Sequence, residues 1–96
     1  MATVMAGLQV LPNGKDMDTD GILPHVVKVI KDSGLKYEVG PMETVVEGSM
    51  EDVMELVTKL QGETANQDGI EEVITNIKLH YRPDGVSMED KKTNLN

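Results

Sequence analysis

Residues 37 to 48, YEVGPMETVVEG, contain two short alternating runs that are joined by a Gly-Pro pair and closed by a second glycine. Apolar and polar residues alternate with a period of two on both sides of Gly40-Pro41, which is typical of strands buried on one face. Two such short strands with a Gly-Pro connection predict a tight antiparallel pair. This pair is the centre from which the neighbouring elements can be predicted.

A helix is predicted on each side of this pair. In HVVKVIKDSG, residues 25–34, apolar residues recur at helical spacing, and Gly34 favours a left-handed stop. Pro24 is tolerated in a first turn, so the regular part is expected to begin near it. On the other side, Ser49 and Asp52 have the spacing of a helix N-cap. The predicted core stripe of this second helix consists of Met50, Val53, Met54, Val57 and Leu60.

The two outer segments read as strands. Residues 2–12 are rich in strand-forming residues, and Pro12-Asn13-Gly14 predicts a turn that closes the strand. The last strong alternation is EEVITNIKLHYRP, residues 71–83. Beyond it, SMED at residues 87–90 predicts one short helical turn.

The resulting order is strand, helix, strand, strand, helix, strand. With connections this short, it predicts a ferredoxin-like βαββαβ two-layer sandwich of the α+β class, with four antiparallel strands and both helices on one face of the sheet. We expect residues 1–96 to form a single domain with a C-terminal tail at about residues 84–96.

Composition excludes several classes of function. The chain has no cysteine, which excludes disulfides, zinc–thiolate clusters and thiol catalysis. Its formal net charge is −8, the wrong sign for neutralising phosphates, so no nucleic-acid partner is expected. A neutral or cationic small molecule fits this charge better, although excess carboxylates also serve to keep a protein soluble.

No segment has the length and composition of a membrane span or a signal peptide. The apolar N-terminus lacks Lys or Arg before its hydrophobic part and reads as the first strand. We therefore expect no membrane partner and a cytoplasmic protein.

A two-layer fold leaves one sheet face without helices. If Val73, Ile77 and Leu79 lie under the helices, alternation exposes Asn76, Lys78 and His80 on the open face, together with Gln9 from the first strand. On the third strand, alternation places either Glu43, Val45 and Glu47 or the alternate set, which contains Thr44, on the open face. Such a mixture of amides, carboxylates and small apolar groups suits a subunit interface with a polar pocket.

The motif G-P-x-x-T-x-x-E-G, made by Gly40, Pro41, Thr44, Glu47 and Gly48 and followed by SMEDVMEL, resembles the YkoF-like thiamine-binding protein family. The segments DSGLKYEVGPMETVVEG and VITNIKLHYR are also similar to strands of that family, so the resemblance covers nearly the whole chain. It implies a ferredoxin-like fold and non-catalytic binding of thiamine or its hydroxymethylpyrimidine half. It also implies association of identical chains through their sheets. We expect a homodimer or homotetramer, because the edge strand LKYEV, residues 35–39, has little protection against pairing.

An aminopyrimidine offers an amine donor beside ring-nitrogen acceptors, which a carboxylate and an amide can meet together. The expected ligand-binding residues are Glu47, Thr44, Gln9, Asn76 and Tyr37, with Tyr37 as a ring for stacking. Thr44 and Glu47 are three residues apart, so on a regular strand they point to opposite faces. Either a bulge brings them together or one of the two is structural.

The sequence lacks the residues that other functions on this fold require. An acylphosphatase-like enzyme needs an arginine in the first loop, and that loop, PNGKDMDTDG, has none. The same loop lacks the glutamate of a calcium-binding EF-hand, and His25 and His80 are too isolated to predict a metal site. RNA recognition needs aromatic residues on a basic sheet. We therefore expect no enzymatic activity, no cofactor and no metal; a regulatory or assembly protein without a small ligand is the alternative.

Overall fold

The computed structural model describes residues 3–14, 19–40 and 42–89. The element order confirms the predicted ferredoxin-like α+β fold, with a sheet in the order β2-β3-β1-β4 and every neighbouring pair antiparallel. The elements are β1 (Thr3–Gly14), α1 (Thr19–Asp32), β2 (Lys36–Val39), β3 (Thr44–Ser49), α2 (Met50–Ala65) and β4 (Ile70–His80).

The main core lies between one face of the sheet and both helices. Val4, Ala6 and Leu8 of β1 alternate toward this side because successive strand residues point to opposite faces. Val46 from β3 joins them, and the helices supply Val26, Val29, Ile30, Val53, Leu56, Val57 and Leu60. This burial of aliphatic side chains stabilises the two-layer arrangement without any Phe or Trp.

The prediction that β1 ends in a turn at Pro12-Asn13-Gly14 is wrong. The strand continues to Gly14 because it pairs with β4 as far as Gly14↔Ile70, with an irregularity between Asn13 and Gly14. Asn13 Nδ2 donates a hydrogen bond to Glu72 Oε1 across this pair at 3.2 Å. β1 and β4 therefore extend together beyond the shorter β2 and β3.

Helix α1 also begins earlier than the sequence predicts. It begins at Thr19, five residues before Pro24, so Pro24 lies inside the helix and the prediction that the regular part begins near it is wrong. Pro24 lies in the second turn, where it removes the donor of one i→i−4 backbone hydrogen bond. Gly34 has φ +80°, which confirms the predicted left-handed stop. The sequence predicts that Asp16, Asp18 and Asp20 cap and solvate the start of this helix; Asp20 lies in its first turn, and Asp16 and Asp18 lie outside the described residues.

The connection between β2 and β3 is a tight turn, as predicted, and Gly40 N–H donates to Glu43 O at 3.0 Å. At the other end of β3, Gly48 leaves room for Leu35, whose Cδ2 would lie 2.9 Å from a Cβ at position 48. Ser49 caps α2 as predicted, since its side chain accepts a hydrogen bond from Asp52 N–H at 3.1 Å. The glycines of the motif thus have packing and turn roles.

The predicted core stripe of α2 is partly wrong. Met50 and Met54 are exposed, whereas Leu56 and Thr64 are buried with Val53, Val57 and Leu60. At 3.6 residues per turn, Met50, Met54 and Gln61 lie on one flank of the buried stripe. Thr75 Oγ1 of β4 donates a hydrogen bond to Gln61 Oε1, so this flank runs along β4. In the described part of the chain no helix is long and apolar enough to cross a bilayer.

Candidate functional site

Cross-strand pairing arranges the side chains of the open face, the face without helices, in three rows. Row one contains Asn76 and Gln9, row two contains Lys78, Gly7 and Val45, and row three contains His80, Met5 and Glu47. Each row consists of directly paired residues, so its members are neighbours on the same face. The prediction that Gln9, Asn76, Lys78 and His80 share this face is confirmed, and β3 contributes the set with Glu47 rather than the set with Thr44.

Row three is covered by the chain itself. The C-terminal segment (residues 84–89) turns back over the open face, and Val86 and Met88 form a small second core with Met5. Val45 packs against this cluster at its edge. The expected tail is therefore ordered against the sheet at least as far as residue 89, while its remaining residues, from Asp90, lie outside the described residues.

Polar contacts hold this segment in place. Val86 N–H donates to Thr3 O at 3.0 Å, and Thr3 Oγ1 donates to Val86 O at 2.8 Å. Met88 N–H donates to Glu47 Oε1 at 2.7 Å, which is short for a neutral donor and typical of a charged acceptor. Part of the hydrogen-bonding capacity of Glu47 is therefore used by the protein's own backbone.

Rows one and two remain open. A depression of about 430 Å³ is lined by Gln9, Glu43, Asn76, Ile77 and Lys78. A smaller one of about 180 Å³ continues from it over Gly7 toward Met5 and His80. Glu43 and Lys78 line both, so together they form one continuous concave surface, here called the open-face site.

An amide pair forms one end of the open-face site. Asn76 Nδ2 donates to Gln9 Oε1 at 3.2 Å, as their direct pairing on β1 and β4 favours. An amide carries both a donor and an acceptor, so this contact leaves the Gln9 amino group and the Asn76 carbonyl for other partners. The pair can therefore meet a ligand that offers a donor beside an acceptor.

Glu43 is the site residue that the predicted ligand-binding set lacks. It lies just before β3, and its carboxylate leans diagonally over Gly7: a Cβ built on Gly7 would lie 2.7 Å from Glu43 Cδ and 2.7 and 2.8 Å from its two oxygens. Sequence alternation places Glu43 on the same face as Glu47, but only the register of β1 against β3 brings it beside a glycine. That register is not visible in the sequence.

The structure separates the predicted ligand-binding residues into three groups. Gln9 and Asn76 are in contact, and Glu47 shares their face but lies four β1 residues away, roughly 13 Å along the strand. Thr44 and Tyr37 point to the helix side. The register runs without interruption from Met5↔Glu47 to Leu8↔Thr44, so no bulge brings Thr44 and Glu47 together.

Thr44 and Tyr37 have surroundings of a different kind. Tyr37 packs against the main core. Thr44 lines a mostly aliphatic cavity of about 350 Å³ between α1 and the ends of β2 and β3. Glu43 and Gln9 also line this cavity, so it meets the open-face site at the end of the sheet. Within residues 3–14, 19–40 and 42–89, no three His, Asp or Glu side chains are grouped so that they could hold a metal ion.

Comparison with known proteins agrees with this fold. Residues 6–96 match the family model described as thiamine-binding protein. A UPF0045 protein of Clostridium perfringens is 38% identical over 91 residues, which cover 95% of each chain. Among solved structures, a domain of unknown function, DUF77, from Bacillus cereus has a TM-score of 0.86 at 37% identity, covering 94% of this chain and 86% of that one.

A second solved structure carries a functional description. It is a Thermotoga maritima protein assigned provisionally to thiamine biosynthesis or salvage, with a TM-score of 0.86 at 26% identity, and the match covers 98% of this chain and 99% of that one. Both the family model and the relatives thus span almost the entire sequence. The chain belongs to the thiamine-binding protein family.

Proposed function

We propose that this protein is a non-catalytic binding protein for thiamine or its hydroxymethylpyrimidine moiety and that it works as a homo-oligomer. Membership of the thiamine-binding protein family supports the ligand class. The description of the Thermotoga maritima protein points to the same area of metabolism. The ligand site is assigned here to the open-face site.

The amide pair Gln9–Asn76 is the observation that carries this proposal. It presents a donor and an acceptor side by side at the end of an uncovered depression of about 430 Å³, a volume within the range of small-molecule sites. The aminopyrimidine ring offers the complementary arrangement, an amine donor beside a ring-nitrogen acceptor. Both amides are on strands of a packed sheet, which orients them before a ligand arrives.

Self-association is supported by the edge strand β4. It is eleven residues long, whereas the opposite edge strand β2 has four. Ile77 and Leu79 are each 41% exposed along it, beside the flank of α2 that carries Met50 and Met54. An edge of this length with exposed aliphatic groups favours pairing with a second copy of the chain.

The ligand proposal is tested by calorimetric titration and by thermal denaturation of the purified protein with thiamine and with hydroxymethylpyrimidine. Because a ligand that binds only the folded state stabilises it by mass action, both compounds are expected to raise the melting temperature. Gln9→Leu and Asn76→Leu each remove one neutral hydrogen-bonding group from the site, so the affinity is expected to fall about 2- to 10-fold in each variant.

Asn13→Leu is a matched control, since Asn13 lies on the same strand but outside the open-face site; its affinity should equal that of the wild type. Equal binding by wild type, Gln9→Leu and Asn76→Leu would move the site elsewhere. Absence of binding at millimolar ligand would contradict the ligand proposal. The apolar groups of β4 and α2 then favour the alternative function, a regulatory or assembly protein without a small ligand.

A further inference from the structure

We infer that the open-face site binds a planar organic cation lying flat on the sheet, with the Glu43 carboxylate as its counter-ion and Gly7 as the residue that makes room for it. This inference rests on the proposed function in that it concerns the same depression. It goes further in naming Glu43 as the charged group of the site and Gly7 as the residue that leaves room for it.

The orientation of the Glu43 carboxylate carries the inference. Its carbon and both oxygens are nearly equidistant from the Cβ position of Gly7, at 2.7, 2.7 and 2.8 Å. Three atoms of a planar group can be equidistant from a point in this way only if the flat face of the group is turned toward that point. The carboxylate therefore lies face-down on the sheet, and its lone pairs, which lie in its own plane, point along the sheet surface.

Gly7 is the condition for this arrangement. It lies between Val45 and Lys78 in row two, in the middle of the sheet. Any side chain here would place a Cβ less than 3 Å from the carboxylate and force it off the surface. A residue that lacks a side chain in the centre of a strand weakens that strand, so a close approach by another group is a frequent reason for its presence.

The carboxylate also has no protein partner among the described residues. Within the described residues, no hydrogen bond or ion pair engages the Glu43 side chain, although it is half-buried. Lys78 lines the same depressions but does not form an ion pair with it. A bound cation would supply the charged partner that the described residues do not give this carboxylate. The net charge of −8 further favours a cation over an anion.

Glu47 differs in this respect. Its carboxylate already accepts a hydrogen bond from Met88 N–H and lies beside the C-terminal segment. The Glu47 carboxylate is thus engaged by the protein's own backbone. The Glu43 carboxylate, which lies just before β3, is available to a ligand.

These features select the ligand chemistry. A carboxylate whose two oxygens point along the surface is matched by N–H donors that lie in its own plane, as in an amidinium or the exocyclic amine of an aminopyrimidine. Such a group lies coplanar with the carboxylate and therefore flat on the sheet. Its far edge can then reach the Gln9–Asn76 amide pair, which borders the same depression.

Titrations of four variants with three probes test this assignment. The variants are Glu43→Gln, Glu47→Gln, Gly7→Ala and, as a control of equal charge change on the same face, Glu72→Gln. The probes are thiamine, benzamidine as a simple planar cation, and benzamide as its uncharged counterpart. Binding is measured by calorimetry, and the carboxylate carbon signals of the glutamates are followed by nuclear magnetic resonance.

Benzamidine is expected to bind and to shift the Glu43 carboxylate signal, and benzamide is not. Glu43→Gln is expected to weaken binding of both cations about tenfold or more, because a charge-assisted hydrogen bond is lost. Gly7→Ala should produce a similar loss although Glu43 is retained. Glu72→Gln should bind as the wild type does, and Glu47→Gln should lose less than Glu43→Gln.

The outcomes separate this inference from the proposed function. If thiamine fails to bind while benzamidine binds through Glu43, the proposed function fails and the cation site stands. If thiamine binds equally to wild type and Glu43→Gln, the function stands and the Glu43 assignment is overturned. If neither cation binds the wild type, both are wrong.

Discussion

Ser49 shows how far a single residue can be predicted from its neighbours. The spacing of Ser49 and Asp52 predicts an N-cap, and the structure has Ser49 in an extended conformation with its side chain accepting from Asp52 N–H. Both groups are local in sequence, so no tertiary information is needed. Capping is therefore the part of the residue-level prediction that holds best.

Ser49→Ala is expected to lower the free energy of unfolding by about 1 kcal/mol, because Asp52 N–H loses its acceptor. Urea denaturation followed by circular dichroism measures this change. Ser49→Asp keeps an acceptor at the N-terminus of α2 and should restore most of the stability. An unchanged transition midpoint in Ser49→Ala would contradict a capping role.

Met50 and Met54 show where residue-level prediction stops. Both recur at helical spacing with Val53 and Val57, and both nevertheless lie on the flank of α2 rather than in its buried stripe. Periodicity identifies an apolar side of a helix, but the rotation of the helix on the sheet depends on packing against β1 and β3. Much of this packing involves β1 and α1, which lie far from α2 in the sequence.

At the scale of elements, the C-terminal segment (residues 84–89) is the clearest departure from expectation. The sequence predicts a C-terminal tail with one short helical turn, whereas Val86 and Met88 are buried against Met5. Met88 and Glu89 are helical, in agreement with the predicted turn. No periodic pattern marks a segment that packs through two side chains, so this contact could not be predicted.

Two methionines provide a matched test of this packing. Met88→Ala is expected to destabilise the protein by about 2 kcal/mol or more, because Met88 is 4% exposed and its removal leaves a cavity over row three. Met54→Ala removes the same atoms from a side chain that is 43% exposed and should change stability by about 0.5 kcal/mol or less. Equal effects in chemical denaturation would mean that the C-terminal segment contributes no core.

β1 illustrates the competition between local and non-local signals. Pro12, Asn13 and Gly14 are all turn-forming residues, yet all three pair with β4. The pairing of a long neighbouring strand outweighs local turn preference, as tertiary context commonly does for strands. The existence and type of all six elements are nevertheless those the sequence predicts.

For the whole molecule, the two edges of the sheet give different predictions about assembly. From sequence, the segment LKYEV that forms β2 is the unprotected edge; in the structure β4 is longer and flanked by exposed aliphatic groups. Leu79→Lys and Val39→Lys place the same charge on the β4 and β2 edges respectively. Charged residues on an edge oppose strand pairing.

Light scattering at micromolar concentration is expected to give a mass two or four times 10.5 kDa for the wild type and a lower mass for Leu79→Lys. Val39→Lys should keep the wild-type mass. The reverse result would place the interface on β2, and a wild-type mass of 10.5 kDa would contradict self-association.

The fold can thus be predicted from the sequence more completely than the candidate site can. Alternation alone assigns Gln9 and Asn76 to the open face but leaves the choice between Glu47 and Thr44 open, and element order alone predicts the sheet. The site depends in addition on which residues stand opposite each other, and Glu43 meets Gly7 only because β3 pairs with β1 in one register. Register arises from the whole core, which no short window of sequence contains.

The strand order β2-β3-β1-β4 also has a consequence for how the chain folds as it is made. β1 is synthesised first, but its partner on one side is β4, which follows more than fifty residues later. Closing so long a loop is slow compared with forming the local β2–β3 hairpin. During that interval β1 presents an unpaired edge to other nascent chains. This topology therefore favours aggregation during synthesis, before β4 has paired with β1.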